Sequence, residues 1–155
     1  MALLVVLIPT LCNSSAPITT PSGTISAIPD IKLAHPEVPR ITAKELKLLL
    51  EKKADLVVVD TQPADGYDLW HIPTAVNIPY SPTDDPTDRE MRLLTLPMTK
   101  LIVLYCICEE GTDSATVALE LRSLGFDDDK VKVLRGGLIQ WQELGYPLVE
   151  QPTSP

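Results

Sequence analysis

"KLIVLYCICEEGTDSATVALELRSLG", Lys100 to Gly125, carries the pattern on which the fold turns. Leu101 to Tyr105 is a short, unbroken apolar run, the mark of a strand covered on both faces. Val117, Leu121 and Leu124 then share one helical face, and Gly125 stands where a left-handed C-terminal cap is needed. Between strand and helix lie Cys106 and Cys108, one residue apart, followed by Glu109, Glu110, Gly111, Thr112 and Asp113. Counted back from a helix start at Ser114-Ala115, Cys108 to Asp113 is a six-residue loop with glycine fourth. Glycine there lets the chain bend so that successive N–H groups converge. A cysteine at such a junction faces those amides and the positive end of the helix dipole. Both favour thiolate over thiol, and both can hold an anion or a persulfide.

Outward from this unit, the same alternation repeats. Thr42-Ala43-Lys44-Glu45 has the spacing of a capping box, and Leu46, Leu49 and Leu50 carry the helix on to about Lys53. "DLVVVD", ending at Asp60, is a second buried strand, and "AVNIPY" a shorter one. "DDPTDREMRLLTLP" starts a helix at Asp85-Pro86 and stops it before Pro97. "KVKVL" alternates as a strand, Gly136-Gly137 permits a tight turn, and "LIQWQEL" forms a last helix closed by Gly145. Strands alternating with helices give an α/β domain with a mainly parallel central sheet and helices on both faces. Ligands in such sheets sit beyond the carboxyl ends of strands, where Asp60 and Cys106-Ile107-Cys108 fall.

Composition sets the outer bounds. The 155 residues suffice for one ordinary domain, placed at 40–150, with 151–155 as a disordered tail. The net charge of −8 opposes binding to phosphate backbones and anionic lipid, so nucleic acid is not an expected partner. Three cysteines make no disulfide framework, and no histidine cluster completes a metal site. Residues 1–39 form a Pro/Ser/Thr-rich segment with six prolines from Pro9 to Pro39, read as a linker. Ala2 to Ile8 resembles the core of an export signal but lacks a preceding Lys or Arg and is interrupted by Pro9. A remnant of such a signal stands beside a plain apolar tail, so the compartment stays open between export and cytoplasm. The run is too short to span a bilayer.

Three stretches in order resemble the rhodanese-like, or sulfurtransferase, domain family. "LVVVDTQPADGYDLWHIPTAVNIPY" is similar to its strand-Asp, Tyr, His-Ile-Pro and Asn-Ile-Pro pattern, and "VLRGGLIQWQELGYPL" to its closing Gly-Gly, Trp and Gly-Tyr-Pro. With the cysteine loop between them, the resemblance covers roughly Ile41 to Val149. It implies that Cys108 is a nucleophile carrying sulfane sulfur as a persulfide, held by the backbone amides of Glu109, Glu110, Gly111, Thr112, Asp113 and Ser114. A small sulfur donor and a thiol or protein acceptor would be the partners, and no cofactor is implied. Asp60, Cys106 and Arg135 are candidate pocket residues.

The departures from the family pattern sharpen the expectation. The family's cysteine commonly follows the strand's Tyr directly, which points to Cys106, whereas counting from the helix points to Cys108; loop length controls the cradle and decides for Cys108. Asp-Val-Arg is here Asp60-Thr61-Gln62, and the Arg before the loop's Ser is Asp113, so two cationic groups are missing. A carboxylate ~5 Å from a thiolate at an effective dielectric of ~20 costs about 3 kcal/mol, against about 1 from a helix terminus. Acid around the loop is therefore expected to hold the Cys108 thiol up and to disfavour dianionic donors such as thiosulfate. Phosphatase chemistry, which in this superfamily uses a loop one residue longer with Arg, is not expected.

Plainer readings stand beside these. Cys106 in an apolar strand is read as a small buried hydrophobe, His71 as a turn residue, and Glu109, Glu110 and Asp113 equally as solvated loop charge. Asp60 is read as capping its own turn, Arg135 as a cation of undetermined direction, and Trp141 and Tyr146 as packing residues. The alternative to a sulfurtransferase is an inactive binding or regulatory module on the same fold, motivated by the missing cations and the acidic rim.

Overall fold

The computed structural model describes residues 32–150. The apolar runs become strands and the periodic stretches helices in the expected alternation: β1 (Arg40–Ile41), α1 (Ala43–Glu51), β2 (Leu56–Asp60), α2 (Ala64–Leu69), β3 (Trp70–His71), β4 (Val76–Asn77), α3 (Pro86–Leu93), β5 (Leu101–Tyr105), α4 (Thr112–Ser123), β6 (Val131–Leu134), α5 (Gly137–Glu143) and β7 (Val149–Glu150). A 3-10 turn at Asp128–Lys130 precedes β6. Five strands form one sheet in the order β1-β6-β5-β2-β4, and every pairing in it is parallel. β3 and β7 pair antiparallel at the margin.

Strand periodicity divides the core. Ile102 and Leu104 of β5 point to one face with Val59 of β2, where Leu93 of α3 and Val117, Ala118 and Leu121 of α4 meet them. Val103 and Tyr105 point to the other with Val58, where Leu46 of α1 and Leu138 and Trp141 of α5 pack. Both faces are thus covered, which is why these strands read as continuous apolar runs rather than alternating ones. Trp141 is 1% exposed, donates its indole N–H to the Pro147 carbonyl at 2.9 Å, and meets Tyr146 edge to face at 5.1 Å, as packing residues should.

The helix starts follow local chemistry. Thr42 and Glu45 form the capping box expected of them. Asp85 accepts the Thr87 amide ahead of Pro86. α4 differs: it begins at Thr112, two residues before the expected Ser114, because Gly111 is the N-cap in a left-handed conformation at φ 70°. "AVNIPY" keeps only Val76–Asn77 as strand.

Two further features depart from the linear reading. α2 and the β3–β7 pair arise within stretches of the domain to which the sequence reading assigns no element. Residues 32–39, assigned by composition to a linker, touch the domain: Val38 is 1% exposed, Pro39 accepts the Val133 amide at 2.9 Å, and the Ala34 amide donates to the Glu110 carbonyl at 3.2 Å. The suggested export-signal run and the 151–155 tail lie outside the described residues. No described helix is long and apolar enough to cross a membrane.

Candidate active site

Parallel pairing places the carboxyl ends of β2, β5 and β6 side by side, so Asp60, Cys106 and Arg135 open three neighbouring loops. Tyr105, the last residue of β5, locks two of these segments. Its carbonyl accepts the Thr61 amide at 2.9 Å and the Thr61 hydroxyl at 3.1 Å, and its own hydroxyl accepts the Ile72 amide at 3.0 Å. The third loop locks onto the cysteines. Leu138 donates its amide to the Cys106 carbonyl at 2.9 Å, and Gly137 lies so close that a Cβ there would sit 2.6 Å from the carbonyl oxygens of both Cys106 and Cys108.

Within this frame the two thiols are unlike. Cys106 is buried, 1% exposed, while Cys108 is half-buried at the loop's mouth. Their sulfurs stand 2.8 Å apart. Ser114, fully buried, lies with its hydroxyl 3.6 Å from the Cys106 sulfur. The hydrogen bond from Cys106 brings the Cys108 thiol down to about 6, with the amides of Thr112 and Gly111 adding to it and the Asp113 charge opposing. Cys106 moves the other way, held protonated by its bond to Cys108 and by burial.

This departs from the expectation that acid would hold Cys108 up. Asp113 is the carboxylate that acts against the thiolate, burial itself pushes Asp113 above the usual carboxylate range, and the second sulfur outweighs it. Of the loop amides, those of Gly111 and Thr112 lower the Cys108 thiol, and the Gly111 amide donates to the Cys108 carbonyl at 3.3 Å. Glu109 is partly buried and Glu110 exposed, with the Glu110 carbonyl tied to Ala34.

The remaining candidates separate. Asp60 is wholly buried and caps its own turn, accepting the Gln62 amide at 2.8 Å and the Gln62 side-chain amide at 3.0 Å. Burial raises its carboxyl, against the lowering effect of its partners Tyr105 and Gln62. Arg135 donates its backbone amide to Ile41 at 2.9 Å, but no described hydrogen bond or ion pair joins its side chain to the cysteine loop. His71 stacks on Tyr67 at 4.0 Å and its Nδ1 donates to the Tyr67 carbonyl at 2.8 Å, which fits a turn role. Among the described residues no cluster of three or more His, Cys, Asp or Glu could hold a metal.

One residue escaped the sequence reading. Arg40, from β1, donates to the Ala34 carbonyl and leaves Nε and Nη1 buried without partners among the described residues, and burial lowers its guanidinium from the ordinary value. It stands at the start of β1, the strand that pairs with β6 at the sheet edge. No local motif marks Arg40, because only the β1–β6–β5 order brings it there.

A parallel α/β sheet with a cysteine loop between strand and helix defines a class of cysteine-bearing domains. Within that class the chain belongs to the rhodanese-like domain family, whose sequence model, described as Rhodanese-like domain, matches residues 42–144. It is 27% identical over 104 residues to "Adenylyltransferase and sulfurtransferase UBA4" of Candida albicans, covering 67% of this chain and 23% of that protein. To "Adenylyltransferase and sulfurtransferase MOCS3" of Arabidopsis thaliana it is 30% identical over 115 residues, covering 68% and 24%. The solution structure of the rhodanese-like domain of Anabaena Alr3790 superposes with a TM-score of 0.61 at 26% identity, covering 76% of this chain and 86% of that one. The chain thus spans about a quarter of the length of these curated relatives.

Proposed function

We propose that this domain is a sulfurtransferase in which Cys108 takes sulfane sulfur from a donor, carries it as a persulfide, and passes it to a thiol or protein acceptor. The observation that carries this reading is the half-buried Cys108 sulfur with its thiol brought down to about 6, so that thiolate is the main form at neutral pH. The thiolate attacks the donor's transferable sulfur, the donor's S–S bond breaks, or its C–S bond in a mercaptopyruvate-type donor, and the remainder leaves with the bonding pair. The Gly111 and Thr112 amides, which lower the Cys108 thiol, then stabilise the anionic adduct in the same way. The acidic residues Glu109, Glu110 and Asp113 favour donors of low charge over dianionic thiosulfate. The name sulfurtransferase borne by the curated relatives supports the reaction class.

The test is to count sulfur taken from benzenethiosulfonate, thiosulfate, polysulfide and a mercaptopyruvate-type donor, as protein-bound sulfane sulfur plus released sulfide. The count is made for wild type, Cys108→Ser and Cys106→Ser. Uptake should vanish in Cys108→Ser and persist in Cys106→Ser, with thiosulfate the poorest donor. Uptake lost only in Cys106→Ser would move the nucleophile to that residue. If no donor yields sulfur with any protein, the domain is a binding module.

A further inference from the structure

The second cysteine has a role that sulfur carriage alone does not require. Its sulfur lies 2.8 Å from that of Cys108, about 0.8 Å beyond the ~2.05 Å of a disulfide bond. Two residues of chain span at most about 7 Å, so their Cα atoms lie within or close to the 4.4–6.8 Å range in which disulfides form. The Cys106 sulfur is enclosed by the Cys108 carbonyl at 3.7 Å and the Ser114 hydroxyl at 3.6 Å, and the residue is 1% exposed. An external thiol cannot reach it, whereas Cys108 already touches it. The carbonyls of both cysteines are fixed against Gly137, and that of Cys106 against Leu138 as well, which holds the two sulfurs as a pair.

We propose that Cys106 is a resolving cysteine, giving the domain a second activity: reduction of sulfane sulfur to hydrosulfide, linked to formation of a Cys106–Cys108 disulfide. This rests on the reading that Cys108 carries a persulfide. In the step, Cys106 Sγ attacks Cys108 Sγ, a new S–S bond forms between them, and the bond from Cys108 to the outer sulfur breaks. The outer sulfur leaves with the bonding pair and the Cys106 proton, as HS⁻. The two cysteines are oxidised by two electrons in all, and the sulfane sulfur is reduced by the same two. A dithiol reductant then returns the pair to the free thiols through ordinary thiol–disulfide exchange, with attack on the accessible Cys108 sulfur.

The geometry favours this order of events. The half-buried thiol, brought down to about 6, meets the donor first, and the buried protonated one supplies the proton that the departing sulfide needs. The loop also carries no guanidinium of its own to clamp the outer sulfur, since Asp113 occupies that place. A persulfide here is therefore held by backbone amides alone, with a nucleophile 2.8 Å behind its inner sulfur.

The experiment mixes reduced protein with benzenethiosulfonate without oxygen and without added thiol; this donor contributes neither thiol nor sulfide of its own. Wild type should release one hydrosulfide per protein, lose two hydrogens in intact mass, and give a peptide in which Cys106 and Cys108 are cross-linked. Cys106→Ser and Cys106→Ala should instead keep one added sulfur and release at least tenfold less sulfide. The cross-link in wild type is read independently, so the proposal stays testable even where a variant folds poorly. Wild type that holds its added sulfur as durably as the variants, without a cross-link, overturns the resolving role while leaving the sulfurtransferase reading intact. Absence of sulfur uptake in wild type and variants alike overturns both.

Discussion

A hydrogen bond to an ionised partner contributes about 1.5–3 kcal/mol, and a pH unit corresponds to about 1.4 kcal/mol, so losing the Cys106 thiol should move Cys108 by about one to two pH units. The sign follows from which form is favoured. Cys106 donates to the thiolate, so its removal makes ionisation harder and drives Cys108 upward. The rate of iodoacetamide alkylation should therefore rise with a midpoint near 6 in wild type and distinctly higher in Cys106→Ala. Asp113→Asn should act oppositely, since the Asp113 charge opposes the thiolate. A midpoint unchanged in Cys106→Ala would remove the second sulfur from the account. The loop and its half-buried cysteine were legible in sequence because both follow from the place where a strand gives way to a helix. The effect of the pair was not. Whether two thiols in a Cys-x-Cys face one another depends on the path of the loop backbone, which here passes against Gly137, and residue type carries no trace of it.

At the scale of elements, the cysteine loop is held from outside itself. Gly137 has φ 54°, and a Cβ placed there would meet two backbone oxygens at 2.6 Å, neither of which can yield without moving the loop. Gly137→Ala should therefore combine a left-handed cost of about 1–2 kcal/mol with an overpacking cost of about 1–3. Gly125→Ala is the control: φ is 93° but nothing lies within 4 Å, so only the backbone cost applies. Urea midpoints should rank wild type above Gly125→Ala above Gly137→Ala, and Gly137→Ala alone should lose the low alkylation midpoint of Cys108. The Gly136-Gly137 pair was readable as a turn, but its contact with residues some thirty positions earlier was not. The start of α4 was misplaced for a related reason. The sequence reading puts the helix start at Ser114-Ala115, while a left-handed Gly111 caps the helix at Thr112 without any side chain.

At the scale of the whole molecule, runs of β-branched residues and leucine disclosed the parallel sheet and its two covered faces, because each such run must be buried on both sides. They could not disclose β1, which is two residues long and is defined by pairing with β6 rather than by its own pattern. Nor could composition separate residues 32–39 from the proline-rich stretch before them, since Val38 is a single apolar residue between Glu37 and Pro39. Its burial at 1% joins this segment to the core that also holds Leu104, Val117 and Val133. Through Arg40 to Ala34, and Ala34 to Glu110, the same segment reaches the cysteine loop. Val38→Ala removes two buried carbons and leaves a small cavity, which should cost about 2 kcal/mol. Equilibrium urea unfolding of the full chain measures this directly. A loss below about 0.5 kcal/mol, the size of an ordinary surface substitution, would mean that residues 32–39 do not pack as the structure places them. A loss near the expected value, with the Cys108 alkylation midpoint unchanged, would assign the segment to stability and leave the electrostatics of the thiolate to Cys106 and the Gly111 and Thr112 amides.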